Sequence, residues 1–433
     1  FSGENNLIRA IYSVTSLLLG MGILLSGSGL LGTLLGLRAS AEGFSDITIG
    51  LIMAAFYFGY IVGSQWCPPL ITRIGHIRTF TALSAAAAVV SLLHGMVIDP
   101  WFWGLLRLIH GICMIGLYMV IESWLNEQIN HRRGQVFAVY MMVSLGALGA
   151  GQFLIIIYGA DQLGSFAMVA MLFCLGLIPL ALTRVHQPVL ASITKMPLLE
   201  LFKISHVGAW GALSSGLITG SFWGLSAVYA LDIGLSDSEV ASFIASTIIG
   251  GALLQWPIGS LSDRYDRRLV LFWVCIGAAA FALLMFIMSG RGGLWLSPIA
   301  VIYGGLSFAL YALSVAQTHD RMSEGNTMAA TQGLLLLNGI GATLGPLLIG
   351  ALMYGLGTTS FPILLAVFLL LLASYTRYRI GADPAVPAAE RTEFVPITRT
   401  SIEVLEMDPR AESESESESE SESESGTESD MKA

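Results

Sequence analysis

Arg107 lies inside the apolar run "WFWGLLRLIHGICMIGLYMVIESWL", and Glu122 follows fifteen positions later. A guanidinium at hydrocarbon depth costs roughly 3 kcal/mol unless a partner or a watery cavity receives it. Arg107 is therefore expected to attract an anionic solute, to answer a titrating acid elsewhere, or to serve as a hydrogen-bond hub between helices. Fifteen residues of ideal helix span about 22 Å, so the two charges need separate partners. Glu122 is a candidate proton carrier, because a carboxylate that alternates between desolvated and cation-paired surroundings takes up and releases a proton. The competing reading is a structural acid paired with a loop arginine.

Uncharged polar residues form a second tier. Gln152, Gln255 and Asn338 each place an amide at hydrocarbon depth, where it needs substrate, water or another helix as partner. Tyr57, Tyr60, Tyr118, Trp223, Tyr229, Tyr303 and Tyr311 are candidates for a central pathway, although packing explains most aromatics in such a chain. Asp232 could gate the outer end of its span, and solvation at the membrane edge explains it equally well. His94 reads as a core histidine before it reads as a proton group. Cys67, Cys113, Cys174 and Cys275 lie in or beside apolar runs without metal-ligand spacing, so they read as small buried hydrophobes and no metal or cofactor is expected.

The elements that must position these residues are membrane-length helices. Apolar runs of about 20 residues match a bilayer's hydrocarbon thickness. Twelve are expected, over 14–36, 47–68, 77–98, 101–124, 136–158, 165–183, 207–231, 239–260, 269–290, 294–317, 328–352 and 358–376. Hydrophobic residues make up 55% of the chain and charged residues 12%, which fits that count better than a water-soluble core. The first run lacks a clear processing site and reads as a span. No Gly-rich phosphate loop with its Lys and Ser/Thr is present, which argues against a self-contained ATP-driven pump.

Loop charge sets the orientation. Arg9, Arg73, Arg78, Arg132, Arg133, Arg184, Lys195, Lys203, Arg264, Arg267, Arg268, Arg321, Arg377 and Arg379 fall on one side, and only Arg38 and Arg291 on the other. The positive-inside rule then places both termini in the cytoplasm, with the chain in the cell's inner membrane. The net charge of −9 belongs to the end of the chain: after Thr376 there are six Lys/Arg against fifteen Asp/Glu. The run "AESESESESESESES" can bury nothing and is expected to be disordered.

The halves echo each other. Leu117-Tyr118 matches Leu310-Tyr311, each followed by a charged turn ("NEQINHRRG", "THDRMSEGN") and a Gly-rich span ("SLGALGAGQ", "LNGIGATLGP"). Paired repeats of this kind are the sequence trace of alternating-access transporters. Over residues 7 to 376 the chain resembles the major facilitator superfamily. "GSLSDRYDRR", Gly259 to Arg268, is similar to that family's loop signature, with Asp266 where Gly is usual. The first-half counterpart, "PPLITRIGHIR", keeps Arg73, Gly75 and Arg78 but has Thr72 at the acidic position and Pro68 at the leading Gly. Arg107 to Gly111 resembles the family's Arg-x-x-x-Gly element, and Gly341, Gly345 and Pro346 a Gly-x-x-x-Gly-Pro element usual in span five. "ESWLNEQINHRRGQVFAVYMMVSLGALGAGQ" is most similar to the poorly characterised YcaD-type bacterial members.

The resemblance implies an all-α membrane protein of twelve transmembrane helices in two six-helix bundles, 1–184 and 207–379. A cytoplasmic linker loop over 185–206 would join them, and an acidic Ser/Glu tail over 380–433 would follow. It implies a secondary active transporter of a small solute, not an enzyme, working as a monomer among membrane lipids, with protons as coupling ion and no nucleic-acid partner. Asp263, Arg264, Arg267, Arg268, Arg73 and Arg78 become a cytoplasmic gate, in which Asp263 caps a neighbouring helix N-terminus and the arginines pair with acids or lipid phosphate. The alternatives are an uncoupled facilitator, an exporter or flippase of amphiphilic cargo, and a membrane sensor or scaffold.

Overall fold

The computed structural model describes residues 2–128, 133–182, 196–322, 327–387, 391–392, 394–395 and 401, with side chains from residue 14 and not at 127, 128, 133 and 134. The first-half helices are α1 (Ser2–Ala41), α2 (Asp46–Ile74), α3 (His76–Met96), α4 (Pro100–Gln128), α5 (Arg133–Gln152), the single turn α6 (Ile155–Tyr158) and α7 (Leu163–Ala181). After α8 (Leu198–Ile204) come α9 (His206–Asp232), α10 (Asp237–Arg264), α11 (Arg267–Met288), α12 (Gly293–His319), α13 (Thr327–Leu356) and α14 (Phe361–Ala382).

Breaks between these helices have local causes. Gly75 takes φ 87° between α2 and α3, a backbone geometry that a Cβ would oppose. Ser236 and Glu239 form a reciprocal capping box at the start of α10. Asp266 caps α11 by accepting from the Arg268 backbone N–H at 2.9 Å. The cap on this helix is thus Asp266, and Asp263 instead pairs with Arg267 and accepts from the Phe394 N–H.

Among the described residues, eleven segments are long and apolar enough to cross a membrane, one fewer than expected. The shortfall is 207–231. This stretch forms the 27-residue helix α9, but its Gly and Ser content lowers its apolar character. Most of its side chains are buried by neighbouring helices instead of facing lipid. The linker also differs from expectation: α8 occupies its end, with Leu201 buried against Gly333. The rest of the linker, residues 185–195, and the Ser/Glu run lie outside the described residues. Cys174 is exposed on α7, whereas Cys67, Cys113 and Cys275 are buried as expected.

Helices of the first half pack chiefly on one another, α2 on α4, α1 on α5 and α7, and α3 on α4 and α7. Those of the second half do likewise, α9 on α13, α10 on α12, and α11 on α12 and α14. The α9–α13 seam is a backbone contact. Gly341 lies on the Leu213 carbonyl, Gly345 on that of Leu217 and Gly216 on that of Asn338, so any larger residue would collide. The Gly-x-x-x-Gly element of α13 is therefore a packing device.

Chain direction alternates, so one face carries residues 391–392, 394–395 and 401 (the tail face) and the other is the far face. At the far face the halves close on each other. Gly50 of α2 lies against Pro346 and Gly350 of α13, and Gly36 of α1 against Ala227 of α9. Asp46 accepts from the Thr358 hydroxyl at 3.0 Å, and Asp237 from the Ala160 N–H at 3.3 Å.

Candidate functional site

A cavity of about 570 Å³ lies between the halves. Eight long helices wall it, α1, α2, α4 and α5 on one side and α9, α10, α12 and α13 on the other, and the short α8 adds Leu198. Its wall runs from Phe56, Arg107 and Gly220 at mid-depth to Met196, Leu198, Gln332 and Ser401 at the tail face. The contacts between the halves described above lie toward the far face.

Arg107 is the only charged side chain in the wall among the described residues. It is 6% exposed, its Nε has no hydrogen-bond partner, and its Nη2 meets only the Met53 sulfur at 3.8 Å. The guanidinium lies over the Phe56 ring, 4.4 Å from the centroid, a contact worth roughly 1–2 kcal/mol when desolvated. That contact holds the group in place without neutralising it. Phe56 escaped the sequence reading, because one more apolar residue in an apolar span carries no signal.

Glu122 is fully buried near the tail-face end of α4 and accepts from the hydroxyls of Tyr140 and Ser401. Neither residue was a sequence candidate, and nothing in the sequence marks Ser401 as a partner of a helix 279 positions away.

The remaining candidates divide. Tyr57, Tyr60, Tyr118, Trp223, Gln255 and Asn338 line the cavity, with the Tyr60 and Tyr118 rings 6.4 Å apart. Asn338 also donates to the Ala212 carbonyl at 3.1 Å, across the α9–α13 seam. Tyr311, the repeat mate of Tyr118, is buried away from the cavity wall, as are Tyr229 and Tyr303. Gln152 is buried between helices, where it accepts from the Thr33 hydroxyl and donates to the Gly29 carbonyl at 3.1 Å. His94 packs on Trp103, with Nδ1 2.8 Å from the Val90 carbonyl. Asp232 is exposed at the far face.

At the tail face the signature loop is tied to the chain's own C-terminal region. Arg267 is buried and pairs with Asp320 at 2.6 Å and Asp263 at 3.3 Å. Arg268 pairs with Asp266 at 2.8 Å and donates to the Asp383 carbonyl at 2.9 Å. Burial alone would raise the Asp266 carboxyl. The hydrogen bonds from Arg268, together with the charges of Arg268 and Arg391, outweigh it and hold the group below the ordinary carboxylate range. Arg73, Arg78 and Arg264 are exposed.

Comparison with known proteins agrees with this geometry. The Major Facilitator Superfamily profile matches residues 17–336, with a second match over 208–409. The uncharacterised MFS-type transporter YcaD of Escherichia fergusonii is 28% identical over 376 residues, covering 84% of this chain and 96% of that protein. Among solved structures, the nucleoside transporter NupG superposes with a TM-score of 0.70 at 14% identity, over 85% of this chain and 98% of that one. A bacterial homologue of the human lysosomal transporter Spinster, in an inward-facing and unoccupied conformation, gives 0.66 at 16% identity, over 89% and 98%. These likenesses at low identity concern the fold. With its membrane-length helices and a cavity walled equally by both halves, the chain is a multi-pass membrane transport protein of the major facilitator superfamily.

Proposed function

We propose that this transporter moves a small monoanionic solute with an apolar body, in exchange or in company with protons. Arg107 carries the reading. It is a buried cation without a carboxylate partner among the described residues, set in a wall otherwise made of apolar, aromatic, amide and hydroxyl groups. A dianion would call for more than one fixed charge, whereas a neutral solute would leave Arg107 uncompensated.

In this reading α9 is the twelfth span, and residues 1–184 and 207–379 are the two bundles that rock about the cavity. The tail face is cytoplasmic and the membrane is the inner one, in keeping with the loop arginines. The conformer is then open to the inside, with its far side shut. Glu122 is the group that takes and releases the coupling proton as its surroundings change.

The test is a thermal-shift series with purified protein and aromatic monocarboxylates, each beside its neutral amide. We expect the acids to stabilise the protein and the amides not to, and Arg107→Gln to abolish the difference. Equal stabilisation by acid and amide would overturn the anionic assignment. Flux of a stabilising acid into sealed vesicles, with and without a pH gradient, tests coupling. Flux indifferent both to the gradient and to Glu122→Gln removes the proton from the mechanism.

A further inference from the structure

The C-terminal segment does not hang free of the transporter. The Thr392 N–H and hydroxyl both donate to Asp320, each at 3.0 Å, and Arg267 donates to the Thr392 carbonyl. The Phe394 N–H donates to Asp263 at 3.0 Å. The Phe394 ring sits in a notch that exists because residue 259 is Gly, since a Cβ there would strike the ring. Arg391 donates to the Tyr265 carbonyl at 2.9 Å. These anchors all belong to the second half. Ser401, seven residues on, is anchored in the first half. It is 1% exposed, it lines the cavity, and its hydroxyl donates to Glu122.

Two things follow. Among the described residues, the groups that the loop signature offers for gating, Asp263 and Arg267, contact the tail and the second half and not the first half. The Glu122 carboxylate, buried behind the wall residue Ser401, is also occupied, by the hydroxyl of that same Ser401. We propose that Glu122 and Tyr140, behind Ser401, form an entry subsite for a hydrogen-bond-donating group, a hydroxyl or ammonium, and that Ser401, tethered through Thr392 and Phe394, plugs it as a competitor. Cargo entering from the tail face must displace Ser401. The fraction of molecules with the plug out therefore scales the apparent affinity for cargo. Arg107 lies deeper, so the subsite is met first and the two are used in turn. Only this competitive step rests on the transport reading; docking of the tail stands without it.

The test uses the full-length chain in membranes, with exposed Cys174 replaced by Ala. The labelling rate of Ser401→Cys with a membrane-impermeant maleimide applied at the tail face is compared with that of Ser415→Cys. Docking predicts labelling at position 401 about tenfold or more slower, because reaction must wait for local opening. Phe394→Ala, which removes the anchor, and Gly259→Val, which fills its notch, should each bring position 401 up to the rate of position 415. Both should also raise vesicle uptake of an aromatic monocarboxylate that carries a ring hydroxyl several-fold. Equal labelling of positions 401 and 415 in the intact chain overturns docking. Faster labelling in the released variants with unchanged uptake overturns competition. Absence of monocarboxylate uptake in every form counts against the Arg107 reading and leaves the labelling result to decide the plug.

Discussion

Arg107 and Gln152 show how one residue class at one depth can serve opposite ends. Both are buried polar side chains in the first half. Gln152 spends its amide on Thr33, Gly29 and Leu148, so α1 and α5 are stapled and nothing is left for a ligand. Arg107 keeps its Nε unpaired and faces the cavity. Gln152→Ala should therefore lower stability by about 1–2 kcal/mol, read as a lower Tm, with the stabilisation by aromatic monocarboxylates intact. Arg107→Gln should show the reverse pattern. If both variants lose ligand response equally, the division of labour is wrong. The sequence singled out both residues because charge and amide in an apolar run stand out. It could not separate them, since a membrane helix is apolar on most faces and its inward side is not written in its periodicity. Tyr118 and Tyr311 show the same limit, because matching repeat positions led one to the cavity and the other to the interior.

Helices were legible where hydropathy alone defines them, and the exceptions share a cause. The span at 207–231 is helical, yet α9 owes its place to backbone contact with α13 more than to an apolar surface. Gly345→Leu raises the hydropathy of α13 but forces a side chain onto the Leu217 carbonyl. We expect it to destabilise by roughly 1–3 kcal/mol, as overpacking does, measured as a lower Tm or as lost monodisperse protein. A stabilised variant would show that the seam is not tight. The linker misled for a related reason. Its one helical piece, α8, is held by Leu201 under Gly333, a tertiary contact that no local pattern announces. The cap at Asp266 stands where the family signature usually has Gly, so the signature did not announce it.

For the whole molecule, the far-face closure is the feature that alternating access must undo. Asp46 and Thr358 meet there from opposite halves, 3.0 Å apart. A disulfide formed between Asp46→Cys and Thr358→Cys should block uptake in vesicles, and reduction should restore it. Uptake that survives the cross-link would mean that this face need not open. A reporter fused to the C-terminus should be found in the cytoplasm, as the loop charges require. The two-half design was open to a reader of the sequence, because a repeat is a linear signal. The tail's return to Glu122 was not, because it joins residues far apart through short polar contacts. The α9–α13 seam also bears on biogenesis. Helix α9 falls short of the apolar character of the eleven membrane-length segments, and the partner that covers its glycines is synthesised about a hundred residues later. Presented alone to the translocon in a single-helix reporter, α9 should integrate poorly, while α11 integrates fully. The nascent second half would then wait, incompletely inserted, until the ribosome delivers α13.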